Sequence, residues 1–406
     1  MLVFPLPQRA VAQLVERRSP KPMVGGSSPS CPAIPQLGFC ISACGIYFAL
    51  VMRFGSNSSE VEHEVRVLQR LILLEKSANK VHVGMSESQT LVRNELIAAI
   101  QTGLLQTEVN QCPVCDNGDY DVIASRERMG IPLESALCRG CPTMYSTMKF
   151  TADSMVTFYS DWYRRLSTGR ADPPASFRDM QVVSGRRLLK FLESANSFLG
   201  YPSRVLDVGC GAGGTLVPFA ELGSKCVGID MDEAFLSGHD ESGIDLQVAN
   251  IENFWSERPF DLVILDDVLE HLGDPVAGIL KVRSLLTTNG LVACQVPVLD
   301  TLRQLGYRND LRRYFQLAHV NHFSTASLIA LFANVGMEIV RFDGVGQFVF
   351  RVTQVPCEVT ATQLKEARRQ LLGKLARVTR FRRYYSSREK LAGRVPIGIR
   401  RIGRRT

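Results

Sequence analysis

Between residues 176 and 355, short apolar runs alternate with longer stretches of mixed polarity. Val205-Leu-Asp-Val208, Val227-Gly-Ile-Asp230, Leu246-Gln-Val-Ala-Asn250, Phe260-Asp-Leu-Val-Ile-Leu265 and Gly290-Leu-Val-Ala-Cys-Gln-Val296 are the runs. Their length and continuity predict five strands buried on both faces. Gly209 to Gly214 follows the first run as a turn, and Thr215 to Leu222 has helical character. Asp266 to Leu272 reads as a loop and helix start. Ser324 to Val335 reads as a helix with Ser324 as N-cap and Gly336 as its stop, and Met337–Phe342 with Gln347–Val355 as a hairpin. Upstream, Met180, Val183, Leu188, Leu189, Leu192 and Phe198 recur at near-helical spacing over Arg178 to Phe198. That stretch is either a helix covering the sheet or one closing over a ligand. Strand–helix alternation predicts an α/β fold with a doubly wound sheet, its ligand at the carboxyl ends of the strands.

Gly209-Cys-Gly-Ala-Gly-Gly214 is a G-x-G-x-x-G turn, where a missing side chain lets a ligand approach the backbone. Dinucleotide-binding folds use the same pattern. Asp207 inside the strand and the Gly-Cys-Gly step in the turn resemble the first motif of class I S-adenosylmethionine (SAM) methyltransferases. Asp230 closes the second strand 21 residues after Gly209, where a carboxylate accepts both hydroxyls of a ribose. The resemblance implies a Rossmann-like seven-stranded sheet with an antiparallel last strand. It implies cofactor contacts from Asp207, Gly209, Gly211, Gly214 and Asp230. It sets Asn250 and the Ile251 backbone at the adenine edge, and Leu265 and Asp266 at the methionine end.

Cys112-Pro-Val-Cys115 and Cys138-Arg-Gly-Cys141 are two C-x-x-C knuckles separated by 22 residues. Four thiolates in that spacing predict a closed, structural zinc site, with disulfides or idle thiols as the alternative. Cys138 to Cys141, an aromatic, and then Phe158-Tyr-x-x-x-Trp-Tyr163 resemble the zinc-ribbon leader of bacterial methyltransferases from glycan and small-molecule pathways. Pro142 departs from that leader, which has glycine there, and puts the turn geometry in doubt. Seven other cysteines are scattered; Cys210, Cys226 and Cys294 read as small core fillers. No disulfide framework is visible, which predicts a reducing, cytoplasmic setting.

A sulfonium loses its methyl without an acid, so alignment does most of the work, about 7–11 kcal/mol, and a general base adds roughly 10²–10⁴-fold. Base candidates are Glu270, His271, His319 and His322, all on the ligand-binding rim. Each has a local alternative. Glu270 has capping-box spacing from Asp267, His271 lies four residues from Asp267 as an ion-pair partner, and His322 precedes an N-cap.

The chain of 406 residues carries a net charge of +7. Lys365 to Arg405 holds fifteen Lys and Arg against two Glu, so that segment is +13 and the remainder −6. Basicity is therefore a property of the tail. Leu364, Leu371, Leu375 and Val378 lend it an amphipathic helical pattern, and three readings stay open: an anionic membrane surface, nucleic acid, or a solvated extension. Residues 1–84 read as a non-native leader, rich in Pro, Gly and Ser, with Gly38 to Met52 too short to span a bilayer of about 20 residues. The expected organisation is that leader, a zinc ribbon with flanking helices over 85–166, a methyltransferase domain over 176–355 and the basic tail over 361–406. A small molecule or sugar is the expected acceptor. RNA methylation and non-catalytic SAM binding are the competing functions.

Overall fold

The computed structural model describes residues 83–115, 117–170, 176–194, 203–236, 243–302, 307, 310–353 and 358–375. Nearly all of the leader, the linker at Asp172-Pro-Pro174 and the tail beyond residue 375 fall outside them. Helix α1 (Glu87–Gln101) opens with a reciprocal capping box between Ser86 and Gln89. Five short strands follow: β1 (Thr107–Val109), β2 (Tyr120–Arg126), β3 (Pro132–Cys138), β4 (Met144–Ser146) and β5 (Met148–Phe150). β2, β3 and β4 form an antiparallel sheet, and β1 pairs with β5. Helix α2 (Ala152–Phe158) runs through a π-helical turn (Tyr159–Tyr163) into α3 (Arg164–Thr168). Helix α4 (Phe177–Ser194) leads into the main sheet.

That sheet contains β6 (Arg204–Val208), β7 (Lys225–Asp230), β8 (Ile244–Val248), β9 (Phe260–Asp266) and β10 (Leu286–Gln295), which pair in parallel. α5 (Val217–Glu221) links β6 to β7, α6 (Glu233–Leu236) follows β7, and α7 (Pro275–Leu285) links β9 to β10. After them come β11 (Asn321–His322), α8 (Thr325–Asn334), β12 (Met337–Phe342) and β13 (Gln347–Val352). Across the sheet the order is β12-β13-β10-β9-β6-β7-β8, and β13 runs antiparallel to both neighbours. The fold is thus the expected Rossmann-like, doubly wound seven-stranded sheet with an antiparallel last strand. Ser324 caps α8 through a capping box with Ser327, and Gly336 takes φ 74° after its end. The boundaries of β8 and β10 differ from the apolar pattern, and β13 ends at Val352, short of Val355. β8 begins and ends two residues early because it is an edge strand with a half-exposed face, so apolar content marks it weakly. β10 begins at Leu286, which pairs with Phe260 before an irregularity leading to Leu291.

The amino-terminal strands are stitched to this sheet. β11 adds to the three-stranded sheet by pairing with β4, His322 opposite Met144. Asn334 Nδ2 donates to the Val114 carbonyl (3.0 Å), and Lys149 Nζ to that of Gly273 (2.8 Å). Residues 361–375 form a helix, α9, capped by Thr360 and Gln363. Here the sequence reading is corrected: this part of the tail is no solvated extension. Leu364 joins the large core of the main sheet, while Leu371, Leu372 and Leu375 pack with Ile123, Leu137 and Met144. Its apolar face is buried inside the protein, which leaves these turns none to lay on a membrane.

Candidate functional site

The four knuckle cysteines meet as predicted. Their Sγ atoms lie within 4.8 Å of one another, with Cys112–Cys141 and Cys115–Cys138 at 3.4 Å and Cys112–Cys115 at 3.8 Å. A disulfide needs about 2.05 Å, whereas sulfurs 2.3 Å from a tetrahedral zinc stand roughly 3.8 Å apart. The donor set therefore fits a closed structural zinc site. The Gly140 amide donates to Cys138 Sγ (3.3 Å), the bond that steadies a thiolate knuckle. Pro142 does no harm to the turn, since the Cys138 amide still reaches the Thr143 carbonyl at 3.0 Å. Cys112, Cys138 and Cys141 belong to the same buried cluster as Leu206 and Val208 of β6.

Gly209, Asp230 and Asp266 sit at the ends of adjacent strands β6, β7 and β9, where chain order reverses across the sheet, and Asn250 and Ile251 follow β8. Gly209 is exposed within a buried stretch, with φ 71°, so it is the glycine that opens to a ligand. Gly211 and Gly214 are buried. A Cβ on Gly214 would run into the Arg178 carbonyl of α4, so this glycine also lets the helix pack closely on the turn. Gln181 of α4 stitches the turn together: its Nε2 donates to the Cys210 carbonyl (2.9 Å) and its Oε1 accepts from the Ala212 amide (3.1 Å).

Asp230 is held by the amides of Gly211 and Asp232, both at 2.9 Å, and is half-buried at the β7 tip. Burial raises its carboxyl, and the Asp232 and Gly211 amides pull it back. Asp207 is buried in β6, and desolvation lifts it well above the usual carboxylate range. Leu265 is buried, while Asp266 Oδ1 is a buried acceptor with no partner among the described residues. Such an orphaned oxygen beside an open glycine suits a ligand that brings its own donors. Ile251 is buried, and Asn250 Oδ1 accepts from the Asn253 amide (2.9 Å), which fixes that loop. The residues present fit an adenosyl cofactor.

All four candidate bases lie on one rim, and Glu270, His271 and His319 converge. One ligand atom from each falls within 4.8 Å of the others. The local alternatives fail. Glu270 caps no helix, because both its oxygens are buried without a partner. His271 Nδ1 is paired with Tyr159 Oη at 2.7 Å, and Asp267 takes a left-handed φ of 55° instead of starting a helix. His322 is buried within β11, its ring 5.0 Å from Tyr314 and 5.3 Å from Phe315. Desolvation pushes His271 down to about 4 and His322 to about 3, so both are neutral at physiological pH. The same burial raises Glu270 well above its ordinary value.

Several contributors were missed by sequence reasoning. Tyr159 and Tyr163 project from the π-helical turn, their rings 4.8 Å apart and both about 6 Å from His271, whose ring is 4.7 Å from His319. An inserted residue in a helix re-aims side chains, a feature common at functional sites. Arg164 pairs with Asp232 and lies 3.9 Å over the Phe235 ring, anchoring the same segment beside Asp230. The Phe158-Tyr-x-x-x-Trp-Tyr163 motif was visible, but its target was not.

Residues 176–341 match the family model of a methyltransferase domain. The ubiquinone biosynthesis O-methyltransferase of Actinobacillus pleuropneumoniae serotype 7 (strain AP76) is 31% identical over 144 residues, covering 32% of this chain and 61% of that protein. Its counterpart in Bordetella bronchiseptica is 34% identical over 130 residues, covering 30% and 53%. This chain therefore spans only about half to six-tenths of the length of the curated relatives it matches. Among solved structures, a Burkholderia thailandensis 1,6-didemethyltoxoflavin-N1-methyltransferase aligns at 17% identity and a TM-score of 0.32, covering 44% of this chain and 85% of that one. Over residues 176–341 this chain is therefore similar to a methyltransferase domain.

Proposed function

We propose that this chain is a SAM-dependent methyltransferase for a small-molecule or sugar acceptor, in a glycan or secondary-metabolite pathway. The supporting observation is the single rim that joins Gly209, Asp230 and Asp266 to the Glu270, His271 and His319 cluster. Bound SAM supplies an electrophilic methyl on a sulfonium. Asp230 holds the ribose, Asn250 and Ile251 flank the adenine, and Asp207, Leu265 and Asp266 border the methionine end. His271 is neutral and accepts the acceptor's proton, and Tyr159 fixes its ring through Nδ1. Tyr159, Tyr163 and His319 pack against it and exclude water, which otherwise competes for the methyl. The cysteine cluster holds a structural zinc ion that keeps β3 and its neighbours in place.

Named relatives that methylate a small molecule favour that acceptor class over RNA. So does the charge of the ribbon, where Asp121 is paired with Arg139 and with Arg368 of α9. Calorimetry with SAM and S-adenosylhomocysteine, followed by labelled-methyl transfer into fractionated cell extract, tests the reading. Label should enter a low-molecular-weight fraction, and His271→Asn should lower turnover about 10²–10⁴-fold with SAM affinity unchanged. No binding heat, or label confined to RNA, overturns it.

A further inference from the structure

We propose that Glu270, His271 and His319 form a binding site for a divalent transition-metal ion, separate from the cysteine cluster, on the floor of the methyl-transfer site. The ligand atoms are already gathered within 4.8 Å, a span that one ion bridges. Glu270 is 2% exposed, and neither carboxylate oxygen has a partner among the described residues. His319 Nδ1 is likewise buried and unpartnered. A carboxylate left bare inside a protein is expensive, and buried charges are normally paired or bound to metal. No described Lys or Arg pairs with Glu270, so it is neutralised either by a proton or by a cation from outside the chain, and an ion entering the site would take the proton's place.

The donors select the class of ion. Two imidazoles and one carboxylate suit zinc, iron(II), cobalt(II) or manganese(II) over calcium or magnesium, and three protein ligands leave positions open. Metal-binding histidines usually commit their other nitrogen to a hydrogen bond, and Tyr159 already supplies one at His271 Nδ1. A His271 nitrogen also lies against the Ala318 carbonyl, so loading the ion displaces that contact. An acceptor hydroxyl that took an open position would bind as an alkoxide or phenolate with its proton passing to water, and in that loaded state His271 serves as a ligand in place of its role as base. That consequence rests on the proposed methyl transfer; the binding of the ion does not.

The test is titration of the metal-stripped full chain with cobalt(II), read by absorbance, with SAM affinity measured in parallel by calorimetry. Filling the tetrathiolate gives intense sulfur-to-metal charge transfer in the near ultraviolet. A further equivalent is expected to add weak visible bands without charge transfer, and Glu270→Gln and His319→Ala should abolish only those. SAM affinity should persist in both variants, so its absence would indict the methyltransferase reading and not the metal site. The proposal is overturned if the wild type takes up no ion beyond the thiolate site, a result that needs no variant to fold. It is equally overturned if both variants keep the second set of bands.

Discussion

His271 owes its orientation to a residue 112 positions away, the Tyr159 hydroxyl at 2.7 Å from Nδ1. Removing that hydroxyl deletes one neutral hydrogen bond, worth about 0.5–1.5 kcal/mol. Tyr159→Phe should therefore lower kcat roughly threefold to tenfold while leaving SAM affinity alone; steady-state kinetics with calorimetry reads the split. A different single residue governs stability against pH. Glu127 is 1% exposed, accepts from the Met129 and Ile131 amides, and burial lifts its carboxyl from 4.5 to about 7. Its folded state binds the proton more tightly than the unfolded chain, so this contribution is whole below pH 4.5 and is lost as pH rises through 7. Glu127→Gln carries no such loss. Its stability relative to wild type should grow by on the order of 3 kcal/mol between pH 4.5 and 7 and then level off, as urea unfolding at stepped pH would show.

Helix α4 acts as the lid of the glycine turn, and its closeness depends on Gly185. A Cβ there would overlap the Thr215 carbonyl oxygen, which as backbone has no easy way to yield. Gly185→Ala should cost about 1–3 kcal/mol by overpacking and weaken SAM binding, because Gln181 is pulled off Cys210 and Ala212. Denaturant midpoints and calorimetry on one preparation check both. Helix α9 is held by its buried leucines and by Arg368, whose Nε donates to the Cys138 carbonyl (2.7 Å) and whose Nη2 reaches Asp121 (2.9 Å). Leu371→Ala should cost about 2–5 kcal/mol, more than a surface helix would lose.

Across the whole molecule, the cysteines, the sheet core and α9 are one packed unit, since Cys138 touches the main core and its carbonyl anchors Arg368. Stripping the thiolate site should thus lower a single cooperative unfolding transition. Calorimetric scans with and without a strong chelator would show it; a chelator-sensitive transition separate from that of the sheet would contradict it. No helix among the described residues is long and apolar enough to cross a membrane.

Strand identity, the glycine turn and the cysteine pairing were legible along the chain, because each is encoded by neighbours a few residues apart. Apolar runs declare buried strands, C-x-x-C spacing declares a knuckle, and Ser324 declares its own helix start. Edge strand β8 was blurred because half its surface faces water. What lay beyond reach depends on contacts 68 to 230 residues apart in the chain. The meeting of Tyr159 with His271, of Arg164 with Asp232 and of Arg368 with the knuckle strand leaves no local period to read. Nor does sequence distinguish a charged tail in solvent from a helix whose apolar face is covered. Burial decides that, and burial exists only once the chain has folded.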